Sequence, residues 1–378
     1  MPVHTLPATE ALQRLDSFDT VIDARSEDEY ALDHLSGAIN WPTLDNAERI
    51  AIGTMYKQVN AFEAKKRGAA MAARNVAAHI EREVIDKPRG WKPLVYCWRG
   101  GNRSGSLATI LGAIGFSVTL VEGGYKAWRA ALVDDLPRLA QRLRYRVVCG
   151  PTGSGKTRLL QALAAQGAQV LDLEALANHR SSVLGHIPGL PQPSQKRFDS
   201  LIWEALRHVD PARLVYVEAE SKKVGNVRVA DALIDAMRAS PCLDLQLADT
   251  ERVALLLEDY DFFVKDPLHF CQRLEALGEL RGHETVQAWQ QQVMAGEIPA
   301  VVLALLERHY DPMYAASIRR NFSHHAHAVP AVLLDRSGPS MDRLAQSLLA
   351  SESVQADPAL VIAQAAPLLP SPAAGGPA

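Results

Sequence analysis

The sequence has little cysteine: four residues in 378, at positions 97, 149, 242 and 271. None lies in a Cys-x-x-Cys pair or at a metal-ligand spacing, which excludes a disulfide framework and a cysteine-rich metal site and points to a reducing, cytoplasmic setting. Long apolar runs are also missing. No stretch approaches the roughly 18 residues of a membrane span, and Met1-Pro2-Val3-His4-Thr5 opens without a basic region leading into an apolar one. Neither export nor membrane crossing is therefore expected. Nor does one sign of charge dominate: 40 Lys plus Arg stand against 43 Asp plus Glu, a formal net charge of -3, with 48% hydrophobic and 22% charged residues. Those values exclude a disordered or collagenous chain and argue against a nucleic-acid binder that works by bulk positive charge. There is no internal repeat.

The length suits two or three domains. Charge is unevenly spread along it, with -7 over residues 1–50, +10 over 51–146 and -6 over 147–378. A basic band between acidic flanks suggests a local anionic partner. The first 135 residues alternate short strands and helices, with strands at 18–25, 93–96 and 116–121 and a helix at 106–114, an α/β pattern. The polar, basic stretch 134–146, which contains Pro137, reads as a boundary. A second α/β unit follows, with strands at 145–149, 169–173 and 214–217 at a spacing that suits a parallel sheet, then a mostly helical stretch over 228–325. The expected domains are 1–137, 138–356 and a Pro/Ala-rich, disordered tail at 357–378.

Gly150-Pro151-Thr152-Gly153-Ser154-Gly155-Lys156-Thr157 fits GxxxxGK[ST], follows an apolar strand and opens a helix. In such a loop the amides of Gly150, Gly153, Ser154 and Gly155 turn toward a polyphosphate and the helix N-terminus adds partial positive charge. Lys156 reaches the terminal phosphates, and the Thr157 hydroxyl can hold Mg2+. A carboxylate is expected at a later strand end to orient the metal's water. Glu218 supplies it, with Glu220 on the same side if the strand continues and Asp172 as a competitor.

Cys97 lies between a strand and a helix in Tyr96-Cys97-Trp98-Arg99-Gly100-Gly101-Asn102-Arg103-Ser104-Gly105. Backbone N-H groups, a helix N-terminus, Arg99 and Arg103 would favour the thiolate, so Cys97 is the candidate nucleophile, while Cys149, Cys242 and Cys271 read as core. Two chemistries use such a cradle: sulfur-family transfer through a persulfide-like adduct, and phosphate-ester hydrolysis through phosphocysteine. The Cys-x5-Arg spacing serves both. Phosphatases of this type usually carry His before the cysteine, where this chain has Tyr96.

The surroundings resemble a rhodanese domain on four ordered landmarks: Asp23 to Tyr30, His34 to Pro42, the Cys97 loop, and Glu122-Gly123-Gly124-Tyr125-Lys126-Ala127-Trp128. The resemblance implies that Asp23 and Arg25 buttress the sheet. This chain departs from the pattern in having Asp33 where Gly usually precedes the His, and in a loop one residue longer than most. A rhodanese domain ahead of a phosphate-binding loop resembles the bacterial tRNA 2-selenouridine synthase family, whose loop reads Cys-Trp/Phe-Arg-Gly-Gly-x-Arg-Ser. Further resemblances are Gly53-Thr54-Met55-Tyr56-Lys57, Asp172 to Arg180, Gln192-Pro193-Ser194-Gln195-Lys196, Val217 to Ser221, and Tyr310-Asp311-Pro312-Met313-Tyr314. Ser181 stands where the family has Gly.

The resemblance implies an α/β fold: an N-terminal rhodanese-like domain, then a P-loop NTPase-like parallel-sheet domain with a helical C-terminal part. It implies a transferase acting on wobble-position 2-thiouridine of lysine, glutamate and glutamine tRNAs, by S-geranylation from geranyl diphosphate followed by selenation from selenophosphate. Cys97 would take selenium as an S-selanyl adduct, with Arg99 and Arg103 holding the phosphate. The Gly150–Thr157 loop would hold the diphosphate, or a nucleotide, with Mg2+. No tightly bound cofactor and no resident metal are implied, and a monomer is expected. Lys65, Lys66, Arg67, Arg142, Arg144, Lys222 and Lys223 are the RNA-backbone candidates, and Trp98 the base-stacking one. The alternatives are a persulfide sulfurtransferase with a regulatory nucleotide-binding domain, and a cysteine phosphatase or kinase fusion.

Overall fold

The structure is a computed structural model that describes residues 3–182 and 184–356. The expected tail at 357–378 lies outside the described residues. The chain forms two compact units that are not consecutive in sequence. One contains the residues up to Arg144 together with Leu173–Arg213 and Glu220–Arg238; the other contains Tyr145–Asp172, Leu214–Ala219 and the residues from Ala239 onward.

The first unit is built on five parallel strands, β1 (His4–Leu6), β2 (Thr20–Asp23), β3 (Ala38–Asn40), β4 (Pro93–Tyr96) and β5 (Thr119–Val121), in the order β1-β5-β4-β2-β3. All four residues of β4 are buried, which is why Pro-Leu-Val-Tyr shows no polar alternation: a central parallel strand is covered on both faces. Ile22, Val95, Leu107, Leu111 and Phe116 form the core with Trp41 and Trp91. At the C-terminal edge, Tyr96 lies opposite Asp23 in register. Asp23 takes a buried ion pair from Arg25 at 2.6 Å and a hydrogen bond from the Tyr96 hydroxyl at 2.7 Å. These residues brace the sheet, as the rhodanese resemblance implies.

The expected boundary stretch 134–146 contains the end of a helix, Gly124–Arg142, that runs through Pro137, and the first segment of the first unit ends within it at Arg144. Leu132, Leu136, Leu139 and Ala140 are buried along one face, and that packing outweighs the lost N-H. Helix Gln195–Arg207 packs in the same unit through Phe198, Ile202, Trp203 and Leu206. Trp203 meets Trp128 edge-on at 6.4 Å and donates to Asp135 at 2.9 Å, and Arg129 pairs with Asp199. Two glutamines of the Gln192-Pro193-Ser194-Gln195 segment pin the hairpin made by Lys223–Val224 and Val227–Arg228. Gln192 bonds the Val224 carbonyl and the Asn226 N-H, and Gln195 bonds both backbone groups of Arg228.

The second unit holds β6 (Arg144–Cys149), β7 (Gln169–Leu171), β8 (Leu214–Glu218) and the strands Cys242–Gln246 and Val329–Val332. Their order is Val329–Val332, Cys242–Gln246, β6, β8, β7. Strand Cys242–Gln246 pairs in parallel with β6 and with Val329–Val332, and β7 with β8. Cys242–Gln246 is a central strand inside the stretch that reads as mostly helical. Among the described residues, no helix is long and apolar enough to cross a membrane.

Candidate active sites: a cysteine loop and a phosphate loop

Cys97 follows β4 directly, and helix Asn102–Ile114 starts four residues earlier than the sequence suggests, so Arg103 and Ser104 belong to its first turn. Ser104, fully buried, donates its hydroxyl to Cys97 Sγ at 3.1 Å. Of the groups around the sulfur this is the donor that sequence reasoning passed over; the only signal for it was its position in the helix-opening turn. Cys97 itself is 3% exposed, at the inner end of a loop whose residues 99–102 are exposed.

The loop is clamped from behind. Tyr125 N-H donates to the Cys97 carbonyl at 2.8 Å and Lys126 N-H to that of Trp98 at 3.1 Å. Gly124, at φ +59, lies so close that a Cβ there would sit 2.3 Å from the Cys97 carbonyl oxygen, so only glycine fits. Trp98 is half-buried and stacks on Tyr125 at 5.4 Å, which commits one of its two ring faces.

The two arginines are not equivalent. Arg99 is exposed, whereas Arg103 is held by Glu29 at 2.6 Å. Burial opposes ionisation of Glu29, but the hydrogen bond and charge of Arg103, helped by Ser26, override it and hold this carboxyl below its usual range. Asp33, in the place of the usual Gly, is in ordinary extended backbone and buried, accepting from the Tyr125 hydroxyl at 2.8 Å. Ser181 adopts φ +41 and Asn178 φ +50, so the Ser181 position, where the resemblance leads one to expect Gly, does use the left-handed region.

In the second unit the loop after β6 turns into helix Lys156–Ala165. Gly150, the first loop glycine, is gripped from both sides. Its N-H donates to the Tyr314 hydroxyl at 2.6 Å, and its carbonyl accepts from Lys156 Nζ at 2.7 Å. Burial raises the Tyr314 phenol well above its usual value, so the group stays neutral. Arg252, almost fully buried, donates to the Thr152 carbonyl at 3.0 and 2.8 Å and pairs with Asp311 at 2.6 Å and Asp249 at 2.8 Å. Burial works against its charge, and the two carboxylates more than restore it. The Tyr310-Asp311-Pro312-Met313-Tyr314 segment thus braces the phosphate loop at two points. Arg252 and Tyr314 were not among the sequence-derived candidates.

β8 ends at Glu218, which is buried beside β6 in the sheet order, and Asp172 follows β7 one strand further out. Both fall in the unit that carries Gly150–Thr157; Glu220 falls in the other. The RNA candidates Lys65, Lys66, Arg67, Trp98, Arg142, Arg144, Lys222 and Lys223 all fall in the unit of Cys97. Lys66 pairs with Glu63, Lys222 with Asp231, and Arg144 donates to the Ala212 carbonyl.

The first unit thus carries a thiol between a strand and a helix, and the second a glycine loop that opens a helix, the arrangement of a rhodanese-like domain joined to a P-loop-like one. Residues 7–131 match the rhodanese-like domain family, and residues 143–277 match the family described as the tRNA 2-selenouridine synthase AAA domain. The chain is 32% identical over 327 residues to the tRNA 2-selenouridine synthase of Marinobacter nauticus, covering 78% of this chain and 87% of that protein. It is 33% identical over 328 residues to that of Cupriavidus necator, with the same coverage. With that of Nitrosomonas europaea it shares 34% identity over 261 residues, 67% of this chain and 66% of the relative's length. The chain belongs to the tRNA 2-selenouridine synthase family.

Proposed function

We propose that this chain exchanges sulfur for selenium in wobble-position 2-thiouridine of lysine, glutamate and glutamine tRNAs, by S-geranylation followed by selenation. The observation that carries this reading is the presence in one chain of two anion cradles of different chemistry, a thiol loop and a phosphate loop.

In the first half, the thiocarbonyl sulfur attacks C1 of geranyl diphosphate. An S-C bond forms, the C-O bond breaks, and diphosphate leaves with the electron pair. The Gly150–Thr157 amides and Lys156, once released from the Gly150 carbonyl, would hold that diphosphate. The Thr157 hydroxyl, Glu218 and Asp172 are oxygen donors of the kind Mg2+ takes, and the ion would neutralise the departing charge.

In the second half, selenium replaces the thioether at C2. A C-Se bond forms, the C-S bond breaks, and geranyl thiol leaves; hydrolysis of the Se-P bond gives phosphate. This exchange moves no net electrons, because selenophosphate already carries selenium at the selenide level. An S-selanyl Cys97 stands two electrons higher. The redox-neutral role for Cys97 is therefore attack of its thiolate on phosphorus of selenophosphate: an S-P bond forms, the Se-P bond breaks and selenide leaves toward C2, and water then cleaves the S-P bond to release phosphate and the free thiol. Arg99 and the loop amides are the groups that would hold the phosphate, while Arg103 acts from its ion pair with Glu29. Mass spectrometry of wobble nucleosides from cells with and without the gene tests the reading: 2-selenouridine and geranylated thiouridine should both disappear with the gene, and their persistence would overturn it.

A further inference from the structure

Helices Asn46–Gln58 and Ala61–Glu83 form an antiparallel hairpin whose tip is unusual in composition. Tyr56 is 53% exposed, Val59 76% and Phe62 67%. Among the described residues, Tyr56 and Phe62 are the only aromatic side chains in the exposed class; every other Phe, Tyr and Trp is at least half-buried. The backbone of the tip is hydrogen-bonded at the turn. Val59 and Asn60 both donate their N-H to the Met55 carbonyl, at 3.0 and 3.1 Å, and the Asn60 side chain caps the second helix by accepting from Phe62 and Glu63 N-H.

Cations surround these rings. Lys66 Nζ lies 5.1 Å from the Phe62 ring centre and pairs with Glu63. Lys57, Lys65 and Arg67 are exposed, and no carboxylate pairs with them among the described residues. Large apolar rings standing in water on a capped helix hairpin, beside cations left uncompensated, suit a partner that offers flat apolar faces and negative charge together. Unpaired nucleotides do so; duplex RNA stacks its base faces away, and an acidic peptide offers no matching planes.

We infer that this hairpin tip is a docking surface for single-stranded loop RNA, with Tyr56 and Phe62 stacking on unstacked bases and Lys57, Lys65 and Arg67 following the backbone. The inference rests on the tRNA reading above and assigns that partner's unpaired loop to one surface.

The test is fluorescence anisotropy with the full chain, a labelled anticodon stem-loop RNA and a fully paired duplex of equal length. Y56A/F62A should weaken stem-loop binding at least about thirtyfold, the low end for two lost stacking contacts, and leave duplex binding within twofold. Y56W/F62W should restore it, and Y56L/F62L should not. Replacing Lys57, Lys65 and Arg67 by Gln should weaken both RNAs and reduce the slope of log affinity against log salt by about 2. Unchanged stem-loop affinity in Y56A/F62A would overturn the inference and leave the tRNA reading standing; no stem-loop binding by the unaltered protein would count against the tRNA reading itself. Sedimentation decides one more case: if Y56A/F62A dissolves a dimer while RNA affinity holds, the tip is a self-association surface and the inference fails.

Discussion

The hydroxyl of Tyr314 accepts the N-H of Gly150 at 2.6 Å, while Lys156 holds the carbonyl of the same glycine at 2.7 Å. A tyrosine more than 150 residues downstream therefore sets the shape of the phosphate loop at its first residue. Tyr314→Phe removes the acceptor and leaves the ring. Its stability cost should be about 1 kcal/mol, the usual net worth of one hydrogen bond. If the tyrosine positions the loop without touching the reacting atoms, KM for geranyl diphosphate should rise severalfold and kcat should change little. Steady-state geranylation kinetics check this.

Arg252 makes the second brace. Arg252→Met would leave Asp311 without its partner and free the Thr152 carbonyl. Breaking a buried pair costs about 3–5 kcal/mol, and because Asp311 keeps partial contact with water the loss should fall at or below the low end of that range. Urea unfolding with an unchanged m-value is the measurement.

Ser104 donates to the Cys97 sulfur at 3.1 Å. If Cys97 reacts as a thiolate that this hydroxyl supports, Ser104→Ala should slow its alkylation by iodoacetamide at neutral pH by about threefold to tenfold, because a less stabilised thiolate is scarcer but more nucleophilic. An unchanged rate would show that the hydroxyl does not support the thiolate. Cys97→Ser, with no reactive thiol in the loop, gives the baseline.

The strands at 18–25, 93–96, 116–121, 145–149, 169–173 and 214–217, the cysteine loop and the glycine loop at 150–157 are legible because each rests on local chemistry: buried apolar runs, glycines, and cations at fixed spacing; His4–Leu6, Ala38–Asn40 and Val329–Val332 are not. What was not legible depends on distant contacts. The boundary reads as Pro137, but Leu132, Leu136 and Leu139 are buried on one face of a helix that carries the chain on to Arg142, and the segment ends at Arg144. Cys242–Gln246 is too short to announce itself as a strand amid helices, and β6 beside it is what makes it one. Likewise Arg252 reads as an ordinary helical arginine; only the fold brings the Thr152 carbonyl to it. Helix Gln195–Arg207 belongs by sequence order with the phosphate loop, yet Trp203 packs on Trp128 in the other unit.

Glu29 supplies a pH signature. Its carboxyl titrates below the usual value of 4.5 in the folded chain, burial being outweighed by Arg103. A group depressed in this way adds stability above its unfolded pKa and loses that contribution as pH falls through the folded value. Glu29→Gln should therefore be less stable than the unaltered protein at neutral pH. The gap, about 1 kcal/mol for a part-exposed pair, should close as pH falls below 4.5. Thermal melts across that range check the sign.

The division of labour between the two loops is tested most directly by giving purified variants thiouridine-containing tRNA, geranyl diphosphate and selenophosphate, and following the wobble nucleoside by mass spectrometry. Cys97→Ser should accumulate the geranylated nucleoside and form no 2-selenouridine, and Lys156→Ala should form neither from unmodified thiouridine. Selenation by Cys97→Ser at the unaltered rate, or geranylation by Lys156→Ala at that rate, would contradict the assignment.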